Sequence, residues 1–198
     1  MGAVMKTIRL VCFLLLIQAV PALAAPYLTV SLNGGLANTS SQSGTIPSRT
    51  LVGSSLEGVL GVSWKFLIVG VAADVGLLRQ TTDPAQVFGS NTQGNLFTVS
   101  PVLGAQHGSF RLLARFPLAF AKYNLDRTDL SGQSVAYSDA AILDVQLHWL
   151  LSKHFFLGLE YQQLTFKQMQ LGGTASNLSG ADSLILRNYS LLAGLSLF

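Results

Sequence analysis

Residues 139–167, which read DAAILDVQLHWLLSKHFFLGLEYQQLTFK, decide the fold class of this 198-residue chain. Apolar and polar side chains alternate on both sides of a short central break. Before the break, Leu143, Val145, Leu147 and Trp149 alternate with Asp144, Gln146 and His148; after it, Leu157, Leu159 and Tyr161 alternate with Gly158, Glu160 and Gln162. A period of two residues is typical of a β-strand with one apolar and one polar face. Because only residues 152–154 separate the two segments, they predict an antiparallel hairpin.

The same pattern recurs along the rest of the chain. Eight strands are predicted, at residues 27–36, 51–63, 66–78, 96–106, 110–122, 139–151, 155–167 and 185–198. Short connections near residues 64, 108 and 153 recur every 44 or 45 residues, and longer polar connections lie between them. This alternation of short and long connections is typical of an up-and-down array of hairpins. Pro101 and Pro117 fall inside predicted strands, where each leaves a ladder hydrogen bond unmade.

The first 24 residues have the features of a secretory signal peptide. Lys6 and Arg9 precede an apolar run, and Ala22 and Ala24 are small residues at the positions that a signal peptidase recognises. The apolar run is shorter than the roughly 20 residues that a membrane-spanning helix needs. We therefore expect residues 1–24 to be cleaved off.

The composition does not suit a soluble protein. Charged residues make up 11% of the chain and hydrophobic residues 49%, whereas a typical soluble domain has about 25% charged residues. After the signal peptide no apolar run is long enough for a spanning helix, and a closed barrel is the other structure that satisfies its backbone in lipid. The sequence therefore predicts an all-β protein in which residues 25–198 form an eight-stranded antiparallel up-and-down transmembrane β-barrel.

Charge and cysteine content argue against several other classes. Without the signal peptide, the number of Lys and Arg residues falls from 12 to 10, against 9 acidic residues, and the net charge falls from +3 to +1. A nucleic-acid partner is therefore not expected. Cys12 is the only cysteine and lies in the signal peptide, so no disulfide is expected. No metal-ligand spacing or nucleotide-binding loop occurs, and neither a metal nor a cofactor is expected.

The whole mature chain resembles the small OmpA/OmpX-type outer-membrane barrels. The resemblance rests on the signal peptide, the eight alternating segments and terminal Phe198. It implies a barrel in the bacterial outer membrane, with Phe198 as part of the signal that the barrel assembly machinery recognises. The alternating apolar residues before the terminus are one position out of phase with Phe198: Leu191, Ala193, Leu195 and Leu197.

Charged residues at inward-facing positions form a candidate polar cluster in the lumen. They are Glu57, Asp74, Arg111, Arg115, Asp144 and Glu160. The interior of an eight-stranded barrel is just wide enough to be filled by side chains, so charges there must be paired or neutralised. We expect an internal plug in which Arg115 bridges Asp144 on the neighbouring strand, with Arg111 nearer the short turns. Because four carboxylates face two arginines, a sharper hypothesis is that at least one acid stays protonated or holds a cation.

Four cationic residues near the long loops fall at outward-facing positions of their strands. They are Arg79, Lys122, Lys167 and Arg187. In an outer membrane they would meet the phosphates of lipopolysaccharide in charge-assisted contacts. Alternatively, they simply extend to the interface, as long cationic side chains do. Aromatic residues near the short turns predict an interfacial girdle: Trp64, Phe66, Trp149, Phe155 and Phe156.

The sequence favours a non-enzymatic, monomeric barrel that acts in surface interaction or envelope integrity. Its expected partners are outer-membrane lipid, lipopolysaccharide and the barrel assembly machinery. No Ser-His-acid grouping is evident, and His107, His148 and His154 all fall near the short turns. A lipid-A- or phospholipid-modifying enzyme and a narrow channel are the alternatives. The channel is disfavoured because Arg115 and four carboxylates would fill the interior.

Overall fold

The computed structural model describes residues 24–41, 49–80, 93–115, 120–126, 134–171, 174–178 and 180–197. Apart from Ala24, the expected signal peptide lies outside these ranges, as does Phe198. The described strands are β1 Ala25–Ser40, β2 Arg49–Trp64, β3 Leu67–Gln80, β4 Gln93–His107, β5 Phe110–Arg115, β6 Phe120–Asp126, β7 Ser134–Leu150, β8 Phe155–Leu171, β9 Thr174–Asn177 and β10 Leu184–Ser196. Within these ranges, no helix is long and apolar enough to cross a lipid bilayer.

The strands close into a barrel with eight strand positions in the described part of the chain. Each pairs antiparallel with its neighbours, and β10 pairs with β1 from Thr29 opposite Ser196 to Ser40 opposite Ile185. β5 and β6 share one position between β4 and β7, and β9 is a short extension beside β8. The predicted eight-stranded antiparallel barrel is therefore confirmed.

The predicted fifth strand, residues 110–122, corresponds to β5 and the first residues of β6. The structure has β5 and β6 there, and residues 116–119 between them lie outside the described ranges. β4 pairs with β6 up to Val99 and with β5 from Val102 onwards, and the register changes by two residues between the two pairings. Pro101 lies at this gap, where a residue without an N–H disturbs the ladder least.

The two ends of the barrel differ, as the spacing of connections predicted. At one end, called the turn end here, the strands are joined by turns at residues 65–66 and 108–109 and by bends at residues 151–154. Lys65 and Gly108 have φ values of 54° and 56°, the left-handed conformation that two-residue hairpin turns need. At the other end, called the loop end, β1, β3, β6 and β8 end and β2, β4, β7 and β10 begin.

An apolar belt surrounds the outside of the barrel, which confirms the predicted facing of the strands. On β1, Leu32 is 67% exposed whereas Ser31 and Asn33 beside it are each 4% exposed. The same contrast recurs on the other strands, whose exposed apolar residues include Leu60, Val75, Leu112, Leu143, Leu159 and Leu191. A polar interior and an apolar exterior are the reverse of a soluble barrel and the arrangement that a bilayer requires.

The polarity of the two faces inverts near the loop end, a change that the sequence analysis did not predict. On β8, Gln163 and Lys167 are at outward-facing positions. Leu164 and Phe166, which lie between them in the sequence, face inward and are fully buried. The same inversion places an apolar cluster inside the loop end, formed by Ala37, Leu51, Leu78, Leu96, Tyr137, Ala140, Ile142, Leu164, Phe166, Leu184 and Leu186. A smaller apolar cluster lies inside the turn end, formed by Tyr27, Val59, Ile68, Ala72, Val102 and Leu113. The interior therefore consists of two apolar layers with a charged layer between them.

Candidate functional site

The charged layer is centred on Arg115, the last residue of β5. Arg115 lies opposite Asp144 in the β5–β7 register, and Glu57 and Asp74 face each other across β2 and β3. Glu160 lies opposite Gln146 across β7 and β8. These side chains are at most 5% exposed, so solvent screens their charges little.

Arg115 contacts three carboxylates in this layer. Its Nε lies 3.1 Å from Asp144 Oδ2, as the sequence analysis expected, and its Nη2 lies 3.8 Å from Glu160 Oε1. Nη2 also forms an ion pair with Glu57 Oε2. Nε and Nη2 meet these acids at ion-pair distance but not in hydrogen-bond geometry, while Nη1 donates to Thr98 Oγ1 at 3.3 Å. One guanidinium thus partly neutralises three acids.

Amide side chains connect the acids to one another. Gln146 Nε2 donates to Glu57 Oε2 at 2.7 Å and to Glu160 Oε1 at 3.1 Å. Asn33 Nδ2 donates to Glu160 Oε2 at 3.3 Å, and Gln162 Nε2 donates to Asp144 Oδ2 at 3.2 Å. Gln146 and Gln162 were expected on the polar face, but no role was predicted for them. Their roles depend on contacts across the barrel, which alternation along one strand does not reveal.

Asp74 differs from the other three acids, because no ion pair joins it to Arg115 among the described residues. Ser55 and Gln162 lie within hydrogen-bonding range of its carboxylate. Its Oδ1 atom is buried and has no hydrogen-bond partner in the described structure. Asp74 is therefore the acid whose negative charge the structure compensates least.

Arg111 lies apart from the acids, nearer the turn end, as expected. Its guanidinium carbon is 4.9 Å from the ring centroid of Tyr27 and 5.7 Å from that of Phe156, which are cation–π distances. Its Nε and Nη2 both donate to Gln106 Oε1 at 3.2 Å, and Nη2 also donates to Ser196 Oγ at 3.4 Å. Arg111 therefore belongs to an aromatic site and does not offset the excess of carboxylates.

Phe156 does not belong to the outer girdle in which the sequence analysis placed it. It is 2% exposed, whereas Phe155 beside it is 59% exposed, because adjacent residues of a strand face opposite sides. Inside the barrel its ring stacks on His148 with a centroid distance of 4.3 Å and an interplanar angle of 15°. The other predicted girdle residues, Trp64, Phe66 and Trp149, are exposed on the outer surface.

Two of the histidines, His148 and His154, make structural contacts in the described structure. His148 is buried and its Nε2 is 3.1 Å from Gln146 Oε1, which joins it to the charged layer. His154 lies in the bend before β8, with Nδ1 3.1 Å from the backbone oxygen of Ser196. Within the described ranges, no group of three or more His, Cys, Asp or Glu residues could hold a metal ion.

The four cations that were predicted to face outward all lie on the loop-end half of their strands. Arg79 and Lys167 are exposed, and Lys122 lies opposite Phe97 in the β4–β6 register. Arg187 is partly buried: its Nε donates to Gln163 Oε1 at 3.2 Å. The Nη1 of Arg187 also donates to a neighbouring hydroxyl, the Oγ of Ser40, at 3.4 Å.

Comparison with known proteins finds similarity in structure but not in sequence. No protein-family model matches the chain, and no curated protein matches it. The Neisserial surface protein A, NspA, superposes with a TM-score of 0.54 at 14% identity, over 87% of this chain and 97% of NspA. Ail, the attachment invasion locus protein of Yersinia pestis, in complex with the heparin analogue sucrose octasulfate, superposes with a TM-score of 0.54 at 12% identity, over 87% of this chain and 99% of Ail. A second Ail structure gives a TM-score of 0.52 at 10% identity. The chain therefore has the fold of these small eight-stranded barrels, and the resemblance seen in the sequence is confirmed at the level of the fold.

Proposed function

We propose that this protein is a non-enzymatic barrel of the Gram-negative outer membrane, exported with cleavage of residues 1–24. Its role is in surface interaction or envelope integrity, and its outward cations near the loop end bind the anionic groups of lipopolysaccharide. The observation that carries this proposal is the apolar belt together with its limit near the loop end, where outward side chains become polar and inward side chains become apolar.

The height of the belt agrees with a bilayer. On β1 the outward apolar residues run from Leu28 to Leu36, and outward Asn38 follows. Nine residues rising about 3.3 Å each, with a strand tilt of about 40°, span about 23 Å along the barrel axis. Outer-membrane barrels have an apolar band of about 25 Å. The change of polarity on β8 agrees with the same limit. Beyond the hydrocarbon layer the outer surface of the barrel meets water, so apolar side chains are buried in its interior.

The outward cations lie at or beyond this limit, where lipid phosphates would be. Arg187 is held at the border by Gln163, whose Oε1 also accepts a hydrogen bond of 3.0 Å from the hydroxyl of Tyr161. A guanidinium positioned by neighbours binds phosphate with less loss of side-chain entropy than a free one. Arg79 and Lys167 add exposed positive charge on the same half of the barrel. Ail, a barrel of the same fold, was crystallised with a sulfated heparin analogue, which supports an anionic surface ligand for this fold.

The test is co-purification of lipopolysaccharide with the folded protein. The variant replaces Arg79, Lys122, Lys167 and Arg187 with glutamine, and we expect it to carry several-fold less lipopolysaccharide than the wild type. The matched control replaces turn-end cations Lys65 and Lys153 with glutamine, which should leave the amount unchanged because they lie at the opposite end of the belt. If the loop-end variant retained as much lipopolysaccharide as the control, binding by these cations would be refuted.

The two other functions have separate tests. Mass spectrometry should find the same lipid A in cells with and without the gene, and a gene-dependent change would overturn the non-enzymatic assignment. In planar bilayers we expect no steady conductance, because two apolar layers and the Arg115 cluster fill the lumen. Regular single-channel steps would overturn this expectation.

A further inference from the structure

A small polar cavity lies inside the barrel, between the Arg115 cluster and the apolar layer of the loop end. Its volume is about 10 Å³, which is close to the minimum that holds one water-sized occupant. β1, β2, β3 and β10 line it with polar side chains, those of Asn33, Ser55, Asp74, Asn188 and Ser190. Inward-facing glycines keep the space open, and Gly76 is one of them.

Three oxygen atoms of the cavity-lining residues are buried without a hydrogen-bond partner in the described structure. They are Asp74 Oδ1, Asn33 Oδ1 and Asn188 Oδ1. The orientation of the Asn33 amide is determined, because its Nδ2 donates to Glu160 and a flipped amide would place two acceptors against each other. All three atoms are acceptors, and an unpaired buried acceptor costs about 1–3 kcal/mol. A water molecule has only two protons to donate, so one water leaves at least one of them unpaired.

The charge of the surroundings also favours a positive occupant. Asp74 lies directly opposite Glu57 across β2 and β3, and like charges at such a position repel each other. Glu57 is paired with Arg115, which also contacts Asp144 and Glu160. Three carboxylates therefore share one guanidinium, and the fourth, Asp74, has no ion pair in the described structure.

We propose that this cavity binds one small monovalent cation, of the size of sodium, through Asp74, Asn33 and Asn188. Hard cations prefer oxygen ligands, and the cavity offers one carboxylate and otherwise neutral oxygens. Ca²⁺ takes six to eight oxygens, commonly from several carboxylates, and Mg²⁺ keeps several of its own waters, so both need more space or more charge than this cavity provides. The bound ion would link β1, β3 and β10 at the level where the charged and apolar layers meet.

The test compares the thermal stability of the full purified protein in detergent with different cations. The readout is the temperature at which half of the folded band is lost in heat-modifiable gel migration. Chlorides of Na⁺, K⁺, Ca²⁺ and N-methyl-D-glucamine are used at equal ionic strength. At a sodium concentration about tenfold above the dissociation constant, we expect a midpoint about 3–6 °C above that in N-methyl-D-glucamine chloride.

Two variants locate the ion in the cavity. Asp74→Asn removes the charged ligand and should abolish the sodium-dependent shift. Gly76→Ala keeps every charged group, but its new Cβ would lie 3.3 Å from Ser55 Cβ and reduce the space, so it should abolish the shift as well. Ser100→Ala is the control, because Ser100 is equally buried in the lumen but does not line the cavity; it should keep the shift. If Asp74→Asn does not fold, Gly76→Ala decides the question.

Several results would overturn the proposal. A wild-type midpoint that does not depend on which cation is present would mean that the cavity binds no cation. A shift larger in Ca²⁺ than in Na⁺ would exclude the monovalent assignment. A sodium-dependent shift that survives Gly76→Ala would place the ion outside this cavity. Loss of the shift in the Ser100→Ala control would show that the effect is not specific to the site.

Discussion

Replacement of Arg115 with methionine tests whether the charged layer is held together by one guanidinium. Methionine keeps an unbranched apolar stem as far as the position of Nε and has no charge, so the substitution removes the ion pairs. Arg115, Glu57, Asp144 and Glu160 have side chains at most 2% exposed, and water cannot readily take over the role of the lost cation. Breaking a buried ion pair by removing one partner costs about 3–5 kcal/mol, and here three acids lose the same partner. We therefore expect at least this loss, a fall in melting temperature of about 6–20 °C.

The assay is denaturant unfolding of the protein in detergent micelles, with Arg111→Met as the matched control. Arg111 is buried to nearly the same extent, at 4% against 3% exposure, but it packs on the rings of Tyr27 and Phe156. Its replacement should cost about 1–2 kcal/mol, through lost cation–π and hydrogen-bond contacts. A loss equal for the two variants would refute the central role of Arg115.

The pH dependence of this loss provides a second check on the same reasoning. The penalty in Arg115→Met comes from ionised carboxylates without a cation, and acid protonates them. The difference between wild type and variant should therefore be smaller at about pH 4 than at about pH 8. A difference that stayed constant over this range would show that packing, and not charge, accounts for the loss.

Two further predictions concern the outer belt and the turn-end interior. Leu191 is 68% exposed in the belt, and Leu191→Arg should lower the free energy of unfolding in lipid bilayers by about 2–4 kcal/mol. Asn38→Arg at the polar border should lower it by less than about 1 kcal/mol. Equal losses in unfolding titrations from liposomes would contradict the assigned facing. Phe156→Ala removes the ring that stacks on His148 and lies beside Arg111. It should lower the free energy of unfolding, measured with denaturant, by about 3–5 kcal/mol. A loss below about 1 kcal/mol would place Phe156 outside the core.

The strands and their outward faces were predictable from the sequence, because each depends on neighbours along the chain. A strand places successive side chains on opposite sides, so Leu157 and Leu159 could be placed outside from their spacing alone. The short connections likewise predicted the turn end, since Lys65 and Gly108 fall where the alternation breaks. The sequence contained one signal that was missed: Leu164 and Phe166 are apolar on the polar phase of β8, which marks the inverted loop end.

The contacts between opposite walls of the lumen were decided by the tertiary structure. Alternation assigns a residue to the inside but does not give its height or its partner on the far wall. Gln146 meets Glu57 across a separation of 89 residues, and Asn33 meets Glu160 across 127. These contacts depend on how strand register and tilt bring opposite walls together. The sequence therefore determined the alternating faces of the barrel, because these follow from the geometry of a single strand, whereas the ion pairs of Arg115 and the cavity beside Asp74 exist only once the barrel is closed.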